Sequence, residues 1–144
     1  MKEVLNALRK MHNIERFAVE IYRAQIRAFP EKEIADKLKA AMENEQEHVH
    51  DLQARIGELG GSCSWLGFFF QAAGKLLGFV TTLRGKVFIL RTDIRIEKRA
   101  VRDYGDFLQR VDFDKKSTSL VQKNLEDEKA HIKRWEDSIE ILKG

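Results

Sequence analysis

Glu45-Gln46-Glu47-His48 and Glu128-Lys129-Ala130-His131 are the same four-residue word, Glu-x-x-His, met twice at an offset of 83 residues. On an α-helix, residues three apart lie about 60° apart around the axis and about 4.5 Å along it, so an acid and an imidazole so spaced leave the same face. Both side chains of one word can therefore reach a common metal. Upstream stands a second repeat, Glu15-Arg16-Phe17-Ala18-Val19-Glu20-Ile21-Tyr22 and Glu97-Lys98-Arg99-Ala100-Val101-Arg102-Asp103-Tyr104, at an offset of 82. Glu15 to Glu45 is 30 residues and Glu97 to Glu128 is 31, the mark of a helical hairpin used twice with a second loop one residue longer. Two copies predict a site with pseudo-two-fold symmetry.

Around these words the apolar residues recur at threes and fours, as one face of a helix requires. The first helix, roughly 2 to 28, carries Val4, Leu5, Leu8, Met11, Ala18, Val19, Tyr22 and Ile26 inward with Glu15 among them. Glu20 falls off that stripe and reads as a solvated charge. Phe29-Pro30 ends the helix, because the residue before proline is pushed out of the α region. The second helix, about 31 to 59, runs from Ile34 and Leu38 through Glu45 and His48 to Leu52 and Ile56, with Glu43, Glu47 and His50 on other faces and Gly60-Gly61 as its stop. The third, roughly 85 to 111, places Glu97 between Leu90, Ile94 and Ala100, Val101, Tyr104. Its outer face is basic, with Arg84, Lys86, Arg91, Arg95, Lys98, Arg99 and Arg102. Capping residues in Asp112 to Ser117 open the fourth, in which Glu128 and His131 lie between Leu125 and Trp135.

The chain has 144 residues, 43% of them apolar, enough for one domain over 1–144 with a core of its own. A net charge of +3 with both signs interspersed excludes the dominant basic field of a nucleic-acid binder. Cys63 is the only cysteine, which allows no internal disulfide, and Met1-Lys2-Glu3 leads into a helix rather than a signal peptide. The expectation is a cytoplasmic protein, peripheral at most on the inner face of the cell membrane. Residues 62–83 are the most apolar stretch, broken by Gln71, Lys75 and several glycines, and so do not read as a membrane span. Two readings stand for them: a segment lying on a membrane or guarding an apolar channel, or a crossover packed on the bundle or at a homodimer interface.

Four inward carboxylates and two inward imidazoles, Glu15, Glu45, His48, Glu97, Glu128 and His131, need a cation to survive desolvation. A Glu from each of two helices with Glu-x-x-His from each of the other two is the donor pattern of di-iron and di-manganese bundles. The expected fold is therefore all-α: a ferritin-like four-helix bundle made of two pseudo-symmetric hairpins, with a short apolar helical crossover between the second and third helices. A carboxylate-rich set with one histidine per metal suits two iron ions, or manganese, better than zinc or copper(I). Tyr22 and Tyr104 each follow a motif Glu by two turns; Tyr22 reads as core, and Tyr104 as a candidate for electron transfer or hydrogen bonding beside the metals. His12, one turn before Glu15, is a candidate substrate-facing group or a structural histidine.

Leu8-Arg9-Lys10-Met11-His12-Asn13-Ile14-Glu15, Ala18-Val19, Ile21-Tyr22-Arg23-Ala24-Gln25, Trp65 before Gly74-Lys75-Leu76-Leu77-Gly78, Gly85-Lys86, and Asp127-Glu128-Lys129-Ala130-His131 together resemble the demethoxyubiquinone hydroxylases, di-iron monooxygenases of ubiquinone biosynthesis. The resemblance covers nearly the whole chain. It implies that the six residues above are the metal ligands, and that residues 62–83 are a membrane-associated segment near the quinone entrance. It departs at Asp103, where the family has histidine, and after the second helix, where the family has prolines.

The leading expectation is an enzyme: a monooxygenase in which two irons, bridged by Glu45 and Glu128, use dioxygen to hydroxylate a quinone-like lipophilic ring. With no flavin, haem or cluster motif, it needs an external electron donor. One alternative is a rubrerythrin-like or ferritin-like peroxidase or ferroxidase without an organic substrate. Another is a non-enzymatic membrane- or partner-binding bundle with structural metals.

Overall fold

The computed structural model describes residues 1–144. Four long helices, α1 (Lys2–Gln25), α2 (Lys32–Glu58), α4 (Lys86–Arg110) and α5 (Lys115–Lys143), form the bundle, and α3 (Gly67–Thr82) is the crossover between its halves. The hairpins are α1 with α2 and α4 with α5. A 3-10 turn at Ile26–Ala28 tightens the end of α1 before Pro30, and Gly60 and Gly85, both at positive φ, turn the chain into and out of the crossover. Asp114 caps α5 by accepting from the backbone N–H groups of Lys116 and Ser117, and Arg55 of α2 grips the same cap at 2.7 Å. The start of α5 is thereby tied to the end of α2.

On every bundle helix the motif residues divide the core in two. Ala18 and Tyr22, Ile34 and Leu38, Ile89 and Leu90, Trp135 and Ile139 pack as one cluster. Leu8 and Met11, Leu52 and Ile56, Tyr104 and Val121 pack as the other. Glu15, Glu45 with His48, Glu97, and Glu128 with His131 fall between these sets in each sequence, so a polar layer is held between two dry plugs. The apolar clusters exclude water from both ends of it.

The crossover overturns one expectation. Glu20 is 3% exposed rather than solvated, because α3 lies along α1 and buries a second face of it: Asn13, Glu20, Ile21 and Gln25. There Glu20 accepts from Arg23 and from Gln71 of α3, and Arg16 donates to Gln71. The approach of α3 to α1 depends on glycine. A Cβ at Gly74 would stand 2.4 Å from the Phe17 carbonyl oxygen, and one at Gly78 would stand 2.8 Å from Ala24 Cβ. With small residues inward, the large apolar ones point out: Trp65 is 76% exposed and Phe68 67%, joined by Phe69, Leu76, Phe79 and Leu83. No helix is long and apolar enough to cross a membrane. Glu43, Glu47 and His50 are exposed, as expected.

Candidate metal centre

The four bundle helices bring all six inward residues together. Ligand atoms of Glu15, Glu45, His48 and Glu128 lie within 4.8 Å of one another, and so do those of Glu45, Glu97, Glu128 and His131. Glu45 and Glu128 belong to both groups. The arrangement is pseudo-symmetric, with one Glu-x-x-His imidazole at each end and the two shared acids between. His48 Nδ1 stands 3.1 Å from Glu45 and 3.3 Å from Glu128; His131 Nδ1 stands 3.1 Å from Glu45 and 3.4 Å from Glu97 and Glu128. All six are at most 2% exposed.

Protein partners alone do not satisfy this layer. Glu15 Oε1, Glu45 Oε1, both Glu128 oxygens and His131 Nδ1 are buried without a well-aligned hydrogen bond, a costly state for ionisable groups in a dry interior. The electrostatics show the same strain. Burial first, then the charges of Glu128 and Glu45, push the Glu15 carboxyl well above the usual range. Burial and Glu128 push Glu97 up to about 8. Burial disfavours the charged imidazoles, but the surrounding carboxylates outweigh it, raising His48 and lifting His131 to about 12. Burial also opposes ionisation of Glu45, yet the two imidazoles beside it, His131 and His48, leave its carboxyl below the ordinary value. In this state protons on Glu15, Glu97 and the two imidazoles offset the crowded negative charge. Cations placed among the converging oxygens and Nδ1 atoms would do so while satisfying the orphaned donors, so the residues fit a pair of metal ions.

The surroundings contain groups that the stripes do not reveal. Asp127, directly before Glu128, accepts from His48 Nε2 at 2.9 Å, so the imidazole is held from behind while Nδ1 faces the acids. Burial lifts the Asp127 carboxyl, but its bonds with His48 more than reverse that, and it lies low. Asn44, its counterpart before Glu45, reaches the same Asp127 carboxylate at 3.5 Å. The equivalence of the two words would have flagged both positions. Tyr22, read as core, donates its hydroxyl to Glu97 and accepts from Trp135 Nε1 at 3.1 Å. Burial, then Glu97 and Asp93, hold its phenol well above the usual range, so it remains a donor. One turn on, Gln25 donates to Asp93 at 2.9 Å and to Thr81 of α3 at 3.1 Å, tying the crossover to α1 and α4.

Tyr104 and His12 lie apart from this layer. Tyr104 is fully buried in the apolar cluster with Leu8, Met11 and Ile56, and its hydroxyl has no hydrogen-bond partner. His12 is buried beside Cys63, Nε2 to Sγ 3.7 Å, with Nδ1 unbonded. Burial and the charge of Arg16 lower the His12 imidazole, while burial raises the Cys63 thiol, which leaves a neutral pair.

One groove is lined by chain neighbours of Glu15 and Glu97. About 390 Å³ in volume, it runs between α1, α3 and α4, with Ile14 and Phe17 flanking Glu15, Ile96 and Ala100 flanking Glu97, and Phe70 and Ala73 of α3 above. It continues past Arg99 and Asp103 into a wider, more polar opening of about 630 Å³. Asp103 is paired there with Arg99, 2.9 and 3.0 Å from Nε.

Proteins named 3-demethoxyubiquinol 3-hydroxylase from Coxiella burnetii, strains Dugway 5J108-111 and RSA 493 / Nine Mile phase I, are each 27% identical to the chain over 131 residues, 90% of its length. The chain spans 61% of the length of these relatives. The family described as ubiquinone biosynthesis protein COQ7 matches residues 2–140, which take in both copies of the hairpin and all six inward acids and imidazoles, and the chain belongs to that family.

Proposed function

We propose that this chain is a di-iron hydroxylase acting on a quinol-like lipophilic ring, with dioxygen as oxidant. Glu15 with His48 would hold one iron and Glu97 with His131 the other, with Glu45 and Glu128 available to both; manganese suits the same donors. Bound iron would supply redox chemistry for activating dioxygen, which no side chain here can replace. Inserting one oxygen atom into a ring C–H bond and releasing the other as water consumes two electrons and two protons beyond those of the ring. An external electron donor is therefore part of the proposal.

The chain's own residues have separable tasks. Asp127 fixes the His48 ring, Tyr22 holds Glu97 through its hydroxyl, and the two apolar clusters keep bulk water from the layer. The observation that carries the substrate reading is the groove, lined by the apolar chain neighbours of Glu15 and Glu97 and roofed by α3. Beside it, the outward aromatic face of α3 suits a bilayer surface from which a lipophilic ring could enter. The names of the curated relatives agree with a demethoxyubiquinol-like ring.

The deciding experiment follows oxygen uptake by the reduced, iron-loaded protein with a short-chain demethoxyubiquinol and, separately, with hydrogen peroxide, identifying products by mass spectrometry. A hydroxylated quinol is expected. Peroxide turnover without any quinol-derived product would replace this reading with a peroxidase. Metal analysis should return about two metals per chain, and less than one would sink the site.

A further inference from the structure

Asp93 and Glu97, the two acids between Arg84 and Arg102, are each 1% exposed, so no acid of α4 interrupts the basic outer surface of this stretch. Arg91, Arg95, Lys98 and Arg102 fall at steps of four, three and four, which places them within about 60° of one another around the axis and along about 16 Å of it. All four are exposed. Lys98 reaches Glu136 of α5 at 3.6 Å, whereas no carboxylate pairs with Arg91, Arg95 or Arg102. The stripe thus turns toward α5, while Thr92, Ile96, Arg99 and Asp103 line the groove on the α3 side, with Arg95 at the border. A bilayer against the outward aromatics of α3 leaves that stripe open to a second partner. Glu97 leaves the same turns of α4 inward, so one helix, about 10 Å thick, separates the stripe from the buried acids and imidazoles.

We propose that this face of α4 docks an acidic electron-carrier protein. The inference rests on the proposed hydroxylation, which consumes two electrons that no group of this chain supplies, and it adds where they enter. A row of cations steers an acidic partner to the surface and orients it, and a carrier seated there faces the layer across a single helix. Ion pairs between exposed side chains are weak, which suits a partner that must leave after each delivery. A one-electron carrier gives up one electron at each docking and departs oxidised, so two dockings supply one turnover.

The test is a calorimetric titration of the purified chain with two acidic carriers, a plant-type 2Fe–2S ferredoxin and a flavodoxin. It is run at about 0.01 M and about 0.15 M ionic strength, where charges are felt over about 30 Å and about 8 Å. At least one carrier is expected to bind at the lower strength and to weaken about tenfold or more at the higher. R91E/R102E should weaken that binding about tenfold, the scale of a few exposed charge pairs. K2E/K32E, an equal change of net charge at exposed lysines on α1 and α2, should change it about threefold or less. Arg91 and Arg102 are exposed, so the helical circular dichroism of R91E/R102E should match that of the unaltered chain. Binding of neither carrier, or equal weakening by both double variants, overturns the docking surface. If R91E/R102E loses adsorption to phosphatidylglycerol vesicles but keeps carrier binding, the stripe serves lipid headgroups and the inference fails. Hydroxylation in a single turnover of chemically reduced, iron-loaded protein needs no carrier; its absence would overturn the proposed function, whereas failed docking alone overturns only this inference.

Discussion

Asp127 Oδ2 lies 2.9 Å from His48 Nε2, on the far side of the ring from the acids that His48 Nδ1 faces. A carboxylate behind an imidazole fixes the ring's tautomer and orientation, placing the proton on Nε2 and freeing Nδ1 as a donor to a metal. Asp127 thus acts on the layer through His48, the one of its six side chains that it hydrogen-bonds.

D127A should lower metal affinity by about 10- to 100-fold, the usual cost of losing such a support. D127N should recover only part of it, because an amide can accept from Nε2 but carries no charge. Metal-competition titration checks this, and unchanged affinity in D127A would remove Asp127 from the site. Asp127 is about one third exposed, so the substitution should leave the helical fold intact.

The two tyrosines make a second contrast. Tyr22 links Glu97 to Trp135, so Y22F strands the indole N–H and removes a donor from a buried acid. A loss of about 2 kcal/mol is expected in urea denaturation. Y104F removes a hydroxyl that bonds to nothing among apolar neighbours and should be neutral to within about 0.5 kcal/mol, or stabilising. Equal effects would show that the pairing of Tyr22 contributes nothing.

Metal removal should give the chain a characteristic dependence on pH. Glu97 ordinarily titrates near 4.5 but at about 8 in the folded layer, and His131 moves from 6.5 to about 12. In both cases the folded chain holds a proton that the unfolded chain has lost, from pH 4.5 to about 8 for Glu97 and from 6.5 upward for His131. Stability must then fall as pH rises. The melting temperature of metal-free protein should decline steadily between about pH 6 and about pH 9. Metal replaces those protons and binds better as they leave, so the gain from added metal should grow over the same range. Melting curves with chelator and with metal check both slopes, and a metal-free melting temperature that rises with pH would contradict the electrostatics of the layer.

Residues whose direction depends on one helix alone are legible in the amino-acid order itself. Glu45 and His48 share a face because they are three apart, and Leu38 and Leu52 on either side show that the face is inward. The same argument applies to Glu15, Glu97, Glu128 and His131, and with them to the all-helical bundle. Residues whose surroundings depend on how two helices are rotated against each other are not. Asp127 sits at the edge of its stripe, and only the placement of α2 beside α5 gives it His48. Glu20 looks solvated until α3 covers it, and α3 has too many glycines and outward aromatics for periodicity to show which face is inward. Tyr22 and Tyr104 occupy equivalent places in the repeat, yet one meets Glu97 and Trp135 and the other meets Leu8 and Ile56. Duplication of sequence does not duplicate the neighbours.

The seating of α3 can be tested through two glycines that look alike in sequence. Gly74 lies inside α3, where an added Cβ would meet the Phe17 carbonyl oxygen at 2.4 Å and Glu20 Cβ at 3.1 Å. Gly105 lies inside α4 with nothing within 4 Å of such a Cβ. G105A should stabilise the chain by up to about 1 kcal/mol, since alanine loses less backbone freedom in a helix. G74A gains the same helix preference but must push α3 away from α1, at a cost of about 1 to 3 kcal/mol, and should open residues 62–83 to proteolysis. Because helix propensity acts equally at both positions, the difference between the two variants measures the close approach of α3 to α1. If G74A stabilised the chain as G105A does, the crossover would not be seated at this distance, and the groove it roofs would have to be drawn differently.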